Sequence, residues 1–299
     1  MSISIGDRIL ASDFNTLKDD VNKWFGDIYA GTISFGDSNQ TYGYGGVNVD
    51  AAADGSIVTP EQMNSLIDRC NIGVTISDVV TGSIDRVARG ERIIATKYNE
   101  TETKSSSLNT NRFDITAAEF SLLDGGNSQR TTSYSTPIDC IFRYQFTDFD
   151  EARYFFNSGG SIDINGTITG YSTGTGFDGQ GINDILTSMG TVSMNYTETT
   201  QSGSGGSLQS VGFYDLSTSW TLLFQQAGAG AYSNAYVRMW GRRLTGDYVD
   251  ILIEIYPEDS RTVDGTTTMY GQYRIIDEQD SGGASLVIAD PVFSVTDNF

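Results

Sequence analysis

Apolar positions in the first third of the chain recur at helical spacing. Phe14, Leu17, Val21, Trp24 and Phe25 form one stripe, and Lys18, Asp19, Asp20 and Lys23 fill the opposite face. Gly26 closes that helix. A second stripe, Met63, Leu66, Ile67 and Cys70, follows Thr59, Pro60 and Gln62. Thr59 and Gln62 have capping-box spacing, and proline suits the first helical position. Both helices are entered through one repeated pattern: GDRILASDFN (6–15), GSIVTPEQMN (55–64) and GERIIATKYN (90–99). Each copy runs Gly, a β-branched residue, Ala or Pro, an aromatic or Met, then Asn. DITAAEFSLL (114–123) is a degenerate fourth copy, with Phe120 in the aromatic column. The copies are unevenly spaced, so they predict a shared way of starting a helix and not a solenoid. The third copy runs into TETKSSSLNTN (101–111), which is poor in apolar anchors.

From about residue 137 the period changes to two. Predicted strands are 138–146, 191–200, 210–217, 219–226, 235–244, 248–259, 267–277 and 284–295. SIDINGTITGY (161–171) reads as a hairpin turning at Asn165-Gly166. In 248–259, Val249, Ile251, Ile253 and Ile255 face one way and Asp250 and Glu254 the other. GINDILTSMG (181–190) is a short helix between strands. The predicted fold is mainly β: an antiparallel β-sandwich or jelly-roll-like domain over 137–299, preceded by a helix-and-loop docking region over 1–100. Residues 101–136, rich in Ser, Thr and Asn and containing Gly125-Gly126, read as a polar linker or arm. On this division, residues 137–299 should fold without residues 1–100.

Composition narrows the function. The 299 residues include no histidine, 2 cysteines, 18 Lys and Arg, and 38 Asp and Glu, for a formal charge of −20. The absence of histidine excludes a Ser–His–Asp triad and any imidazole ligand. Two cysteines cannot form a four-thiolate zinc site, and without a leader-like start Cys70 and Cys140 read as buried thiols. The charge disfavours nucleic acid, and no apolar run approaches the ~20 residues of a membrane span.

The remaining catalytic candidates are carboxylates, Asp148, Asp150 and Glu151 in one cluster and Glu258 and Asp259 in another. A glycosidase needs two carboxylates across one cleft, whereas acidic turns are ordinarily solvated. FDGQGINDI (177–185) could hold calcium but lacks EF-hand spacing, so loop solvation is the simpler reading. SGSGGS (202–207) lacks the lysine of a phosphate loop and reads as a flexible connection. Trp220, Trp240 and the tyrosines pack in the core or stack on sugars. A sugar binder would expose them on one sheet face or loop end; a scaffold would hide them between subunits. The glycine-flanked Tyr42 and Tyr44 either pack on the helices or present a docking surface.

Several runs resemble structural proteins of marine tailed phages, those of cyanobacteria among them. These are DEARYFFNSGGSI (150–162), LTSMGTVSMNYTETTQSGSG (186–205) and GFYDLSTSWTLLFQQAGAGAYSNAYV (212–237). The ASDFN of the first copy, the FGD of Phe25-Gly26-Asp27 and the YGYG of residues 42–45 are similar to that family too. The resemblance covers most of the chain in order and is weakest over 101–140. It implies a non-enzymatic virion component of the tail, neck or fibre-attachment apparatus, assembled in the host cytoplasm. Its partners would be copies of itself and other virion proteins, with no cofactor, metal, nucleic acid or membrane. The expected interface anchors are Phe14, Leu17, Trp24, Phe25, Tyr42, Tyr44, Met63 and Leu66. The alternatives are a fibre domain that binds a host-surface glycan, and a head decoration protein.

Overall fold

A computed structural model describes residues 9–26, 43–245, 247–259, 261–297 and 299. The first stripe forms α1 (Ala11–Phe25), and the second forms α2 (Pro60–Ile76). The capping box of α2 is present: Thr59 Oγ1 accepts from the Gln62 amide, and Gln62 Oε1 accepts from the Thr59 amide. The third copy opens α3 (Ala95–Thr110). That helix extends well into the stretch read as a linker. Its buried stripe is Ala95, Tyr98, Thr101, Ser105 and Leu108. Hydrogen bonds stand in for the missing apolar anchors: Trp24 donates to Ser105 Oγ at 3.0 Å, and Tyr98 donates to the Asp13 carbonyl at 2.8 Å.

Residues 43–59 and 77–94, which lead into α2 and α3, lie outside the named strands, and asparagines hold them down. On α1, Asn22 bonds both the N–H and the C=O of Val49, at 2.8 and 2.9 Å, and Asn15 does the same to Ala52. On α2, Asn71 clamps Ile84 and Asn64 clamps Val87 with the same paired bonds. The spacing has a simple origin. Seven helical residues rise ~10.5 Å, and three extended residues cover about 10 Å. Asn15 and Asn64 are the last residues of the repeated pattern, and Asn22 and Asn71 lie two turns further on. The clamped residues precede the glycine of the following copy by six and three positions in both cases (49 and 52 before Gly55; 84 and 87 before Gly90). Asn99 occupies the same column on α3.

The β region is a pair of antiparallel sheets. Strands β1 (Phe120–Arg130), β2 (Ile138–Gln145), β3 (Ser161–Thr169), β4 (Val192–Met194), β5 (Thr199–Gln201), β6 (Ser207–Leu208) and β7 (Thr221–Ala227) are followed by β8 (Tyr236–Leu244), β9 (Tyr248–Tyr256), β10 (Thr266–Ile276), β11 (Gln279–Ser281), β12 (Ala284–Leu286) and β13 (Val292–Asp297). One sheet has the order β1-β10-β3-β4-β5 and the other β13-β2-β9-β8-β7-β6, while β11 and β12 form a separate hairpin. The inner faces meet in a sandwich-like core. Tyr144 of β2 packs edge-on to Tyr273 of β10, at 6.4 Å between centroids. Phe293 of β13 lies over Gly125, Gly126 and Gly271, where a β-carbon would come within 3 Å of its ring. Helix α4 (Phe149–Asn157) stacks Phe156 on Phe213 at 4.4 Å, and α5 (Gly179–Met189) buries Ile182, Ile185, Leu186 and Met189.

Several expectations change. Residues 101–136 are not a linker, because β1 is an edge strand paired along its length with β10. The glycines that suggested a flexible arm make room for Phe293. No hairpin turns at Asn165-Gly166: β3 continues through it, paired with Tyr270 and Met269, and a side chain at 166 would strike Met269. Residues 191–200 divide between two paired strands, β4 and β5. In 210–217 a short 3-10 turn, Phe213–Asp215, replaces the expected strand and buries Phe213. The SGSGGS run packs on the end of α5, with the Ser204 and Gly205 amides donating to the Ser188 carbonyl.

The helices and sheets share one core. Asp68 of α2 abuts Gly282 in the β11–β12 turn, Asn157 donates to the Gly43 carbonyl, and Phe113 stacks on Tyr196 at 4.0 Å. Residues 1–100 are therefore not a detachable module, because their removal would uncover buried surface on the β region. Both cysteines are free and buried, and burial pushes the Cys70 thiol up to about 12.

Candidate functional site

The expected interface anchors do not form a surface. Phe14, Leu17, Trp24, Phe25, Tyr44, Met63 and Leu66 are all buried within the chain itself, and Tyr42 lies outside the described residues. Tyr44 shows why. Its amide donates to the Trp24 carbonyl, its ring packs edge-on to Trp24, and its hydroxyl donates to the Arg112 carbonyl at 2.5 Å. A side chain at Gly43 or Gly46 would collide with the end of α1, so those glycines serve close approach. The tyrosine packs on the helices.

The acidic candidates are tied into local structure. Asp148 caps α4 by accepting from the Glu151 amide, and Asp150 pairs with Arg153 at 3.4 Å. Glu258 accepts from the Asn234 backbone and side chain, both at 2.8 Å. Asp259 is exposed. Residues 177–185 lead into α5 rather than an open loop, and Asp178 is buried at its start. Among the described residues, no group of three or more acids or cysteines is placed to hold a metal ion. No helix among them is long and apolar enough to cross a membrane.

The outer face of the six-stranded sheet is a different matter. Period-two alternation puts the inner positions of β2, β8 and β9 in the core and aims the others outward. Cross-strand register then lines the outward residues into rows. Arg143, Asp250 and Arg242 stand side by side on β2, β9 and β8. Asp250 is fully buried between the two guanidiniums. Arg143 reaches it with Nε and Nη2 at 2.7 and 2.8 Å, and Arg242 with Nε and Nη2 at 3.1 and 2.9 Å. Aromatic rings flank the pair, with Trp220 4.1 Å from Arg242 and Tyr248 4.9 Å from Arg143. The carboxylate hydrogen bond holds the Arg143 guanidinium above its ordinary value.

A second row is built around Glu254, between Asp139 and Arg238. It accepts from Trp240 Nε1 at 2.7 Å and from the Tyr256 hydroxyl at 3.4 Å. Tyr256 stacks on Tyr236 at 4.1 Å, and Arg238 covers Tyr236 at 4.3 Å. Between the rows, Ile141, Leu252, Trp240 and Leu222 form an apolar strip, half-buried across four strands.

The alternation in 248–259 pointed to this face, since Asp250 and Glu254 turn outward as expected. What a single strand could not reveal is the arginine opposite each acid. Those partners lie 8 and 107 residues away from Asp250, and only the sheet register brings them together. Trp220 and Trp240, weighed as core or sugar-binding residues, both sit on this outer face.

Searches against family models, curated proteins and solved structures found no match.

Proposed function

We propose that the chain is a non-catalytic structural subunit of a tailed-phage virion, in the tail, neck or fibre-attachment apparatus, and that it assembles through the outer face of its six-stranded sheet. One observation carries the assembly reading: a broad face built from arginine, tryptophan and tyrosine around a strip of half-buried aliphatics. Those three residue types dominate the energetics of protein–protein contacts. The salt-bridged, stacked side chains are held in place before any partner arrives, which lowers the entropy cost of association. The virion assignment is supported by the resemblance of residues 150–162, 186–205 and 212–237 to phage structural proteins. The charge of −20 suits a particle surface that stays dispersed.

A host-surface glycan is the second reading, favoured by the aromatic content of the same face. The stacking weighs against it: one face of Trp220, Tyr236 and Tyr248 is already covered by arginine, and Tyr236 and Tyr256 cover each other. Peptide mass spectrometry of purified particles of the encoding phage tests the proposal. We expect this chain in a fixed ratio to the other tail or neck proteins. Its absence from particles, with binding to a host glycan preparation that Trp240→Ala abolishes, would replace the structural reading with the glycan one.

A further inference from the structure

The partner that this face fits best is a second copy of the same chain. The argument rests on the assembly reading above and begins with charge. The chain carries an excess of 20 negative charges. The two charged rows described above contain three arginines and three acids, so the face has no net charge of its own. A contact between two copies through this face adds no like-charge repulsion of its own to that between the two acidic bodies.

Size and chemistry agree. The six strands hold 41 residues, which at a rise of ~3.3 Å and a spacing of ~4.8 Å give a footprint of about 650 Å². A stable interface buries about 800 Å² per partner. The rows also suit a twofold contact. One side of the apolar strip offers the guanidiniums of Arg143 and Arg242 and the other the carboxylates of Asp139 and Glu254, so a copy rotated about the strip can answer charge with charge while the strips meet. We propose that the outer face of the six-stranded sheet is a self-complementary dimer interface, centred on the Leu252–Trp240 strip.

Sedimentation velocity of the full-length chain tests this, from 1 to 100 µM and at low and high salt. A dimer is expected, and it should tighten as salt screens the repulsion between two acidic bodies. Leu252→Lys, at the centre of the strip, should raise the dimer dissociation constant at least tenfold while leaving the circular dichroism spectrum unchanged. Ile57→Lys, at a fully solvated site in the helical region (Ile57 is 88% exposed), should leave the dimer intact. If Leu252→Lys fails to fold, Leu222→Lys on the same row replaces it. A monomer at 100 µM in high salt, or a folded strip variant that dimerises like the parent, would overturn the proposal. The two readings fail separately. A monomeric chain found in particles removes the dimer and keeps the virion role, and a dimer absent from particles does the reverse.

Discussion

Ile253 and Val49 are both buried, and their backbone groups are paired in different ways. Ile253 sits in the middle of β9, opposite Met239 on one neighbouring strand and Cys140 on the other. Among the described residues no strand pairs with Val49, and the Asn22 side chain supplies the donor and the acceptor that a neighbouring strand would have offered. In the sheet region, pairing is spread over whole ladders, so one side chain matters little to the backbone. In the helical region, four asparagines pair both backbone groups of one residue each along two segments that have no ladder. The lesson is that helical asparagines two turns apart can stand in for a β-strand, and that the stability of such a region is concentrated at a few positions.

The sheet region concentrates its own risk at one ion cluster. Asp250→Ala would leave two guanidiniums facing each other, and should cost about 3 kcal/mol, as expected for breaking a desolvated pair. In a chain of this size that lowers the melting temperature by roughly 5–10 °C, which calorimetry reads directly. Asn22→Leu sharpens the other side of the comparison. It strips the Val49 N–H and C=O of their partner, and urea unfolding should register a loss of about 2 kcal/mol. The same substitution at Asn109 of α3, outside the clamps, should cost much less. A comparable loss at both positions would show that the paired bonds are not what holds the segment.

The smallest effect is a pH dependence. Burial raises the Asp178 carboxyl above its ordinary value, outweighing the hydrogen bond from the Glu258 amide that pulls it down. The folded chain therefore holds this proton more tightly than the unfolded chain does. The ionised form costs stability at neutral pH, and that cost falls away as the pH drops through the folded value. Asp178→Asn keeps an acceptor for the Glu258 amide and removes the charge. Thermal melts should place the variant level with or slightly above the parent at pH 7, by less than about 1 kcal/mol. The difference should shift in favour of the parent as the pH falls towards 4.

Local signals placed much of this architecture. Thr59, Pro60 and Gln62 marked the start of α2, and alternation marked β9, because both depend on residues a few positions apart. The repeat pointed to its terminal asparagine but not to its task, since Ala52 lies 37 residues beyond Asn15. Polar α3 was legible only as an entry, because what holds it is Trp24 and Asp13 from another helix. Gly125, Gly126 and Gly166 misled for a common reason. Each signals a turn locally, and each is glycine because a distant side chain, Phe293 or Met269, occupies the space. The candidate face was half legible: its acids showed in one strand, and its arginines needed the register.

The clamps leave the connecting chain free to vary. Clamped residues are counted back from the next copy's glycine, so their register follows the next helix rather than the end of the previous one. Asn22 reaches its partner across 27 positions and Asn71 across 13, with the same geometry at both ends. Between α2 and its first clamp, residues 81–83 are exposed, and sequence there can lengthen without disturbing the bundle. Such an arrangement is a built-in insertion point: new sequence entering at 81–83 alters the surface and leaves the core register untouched.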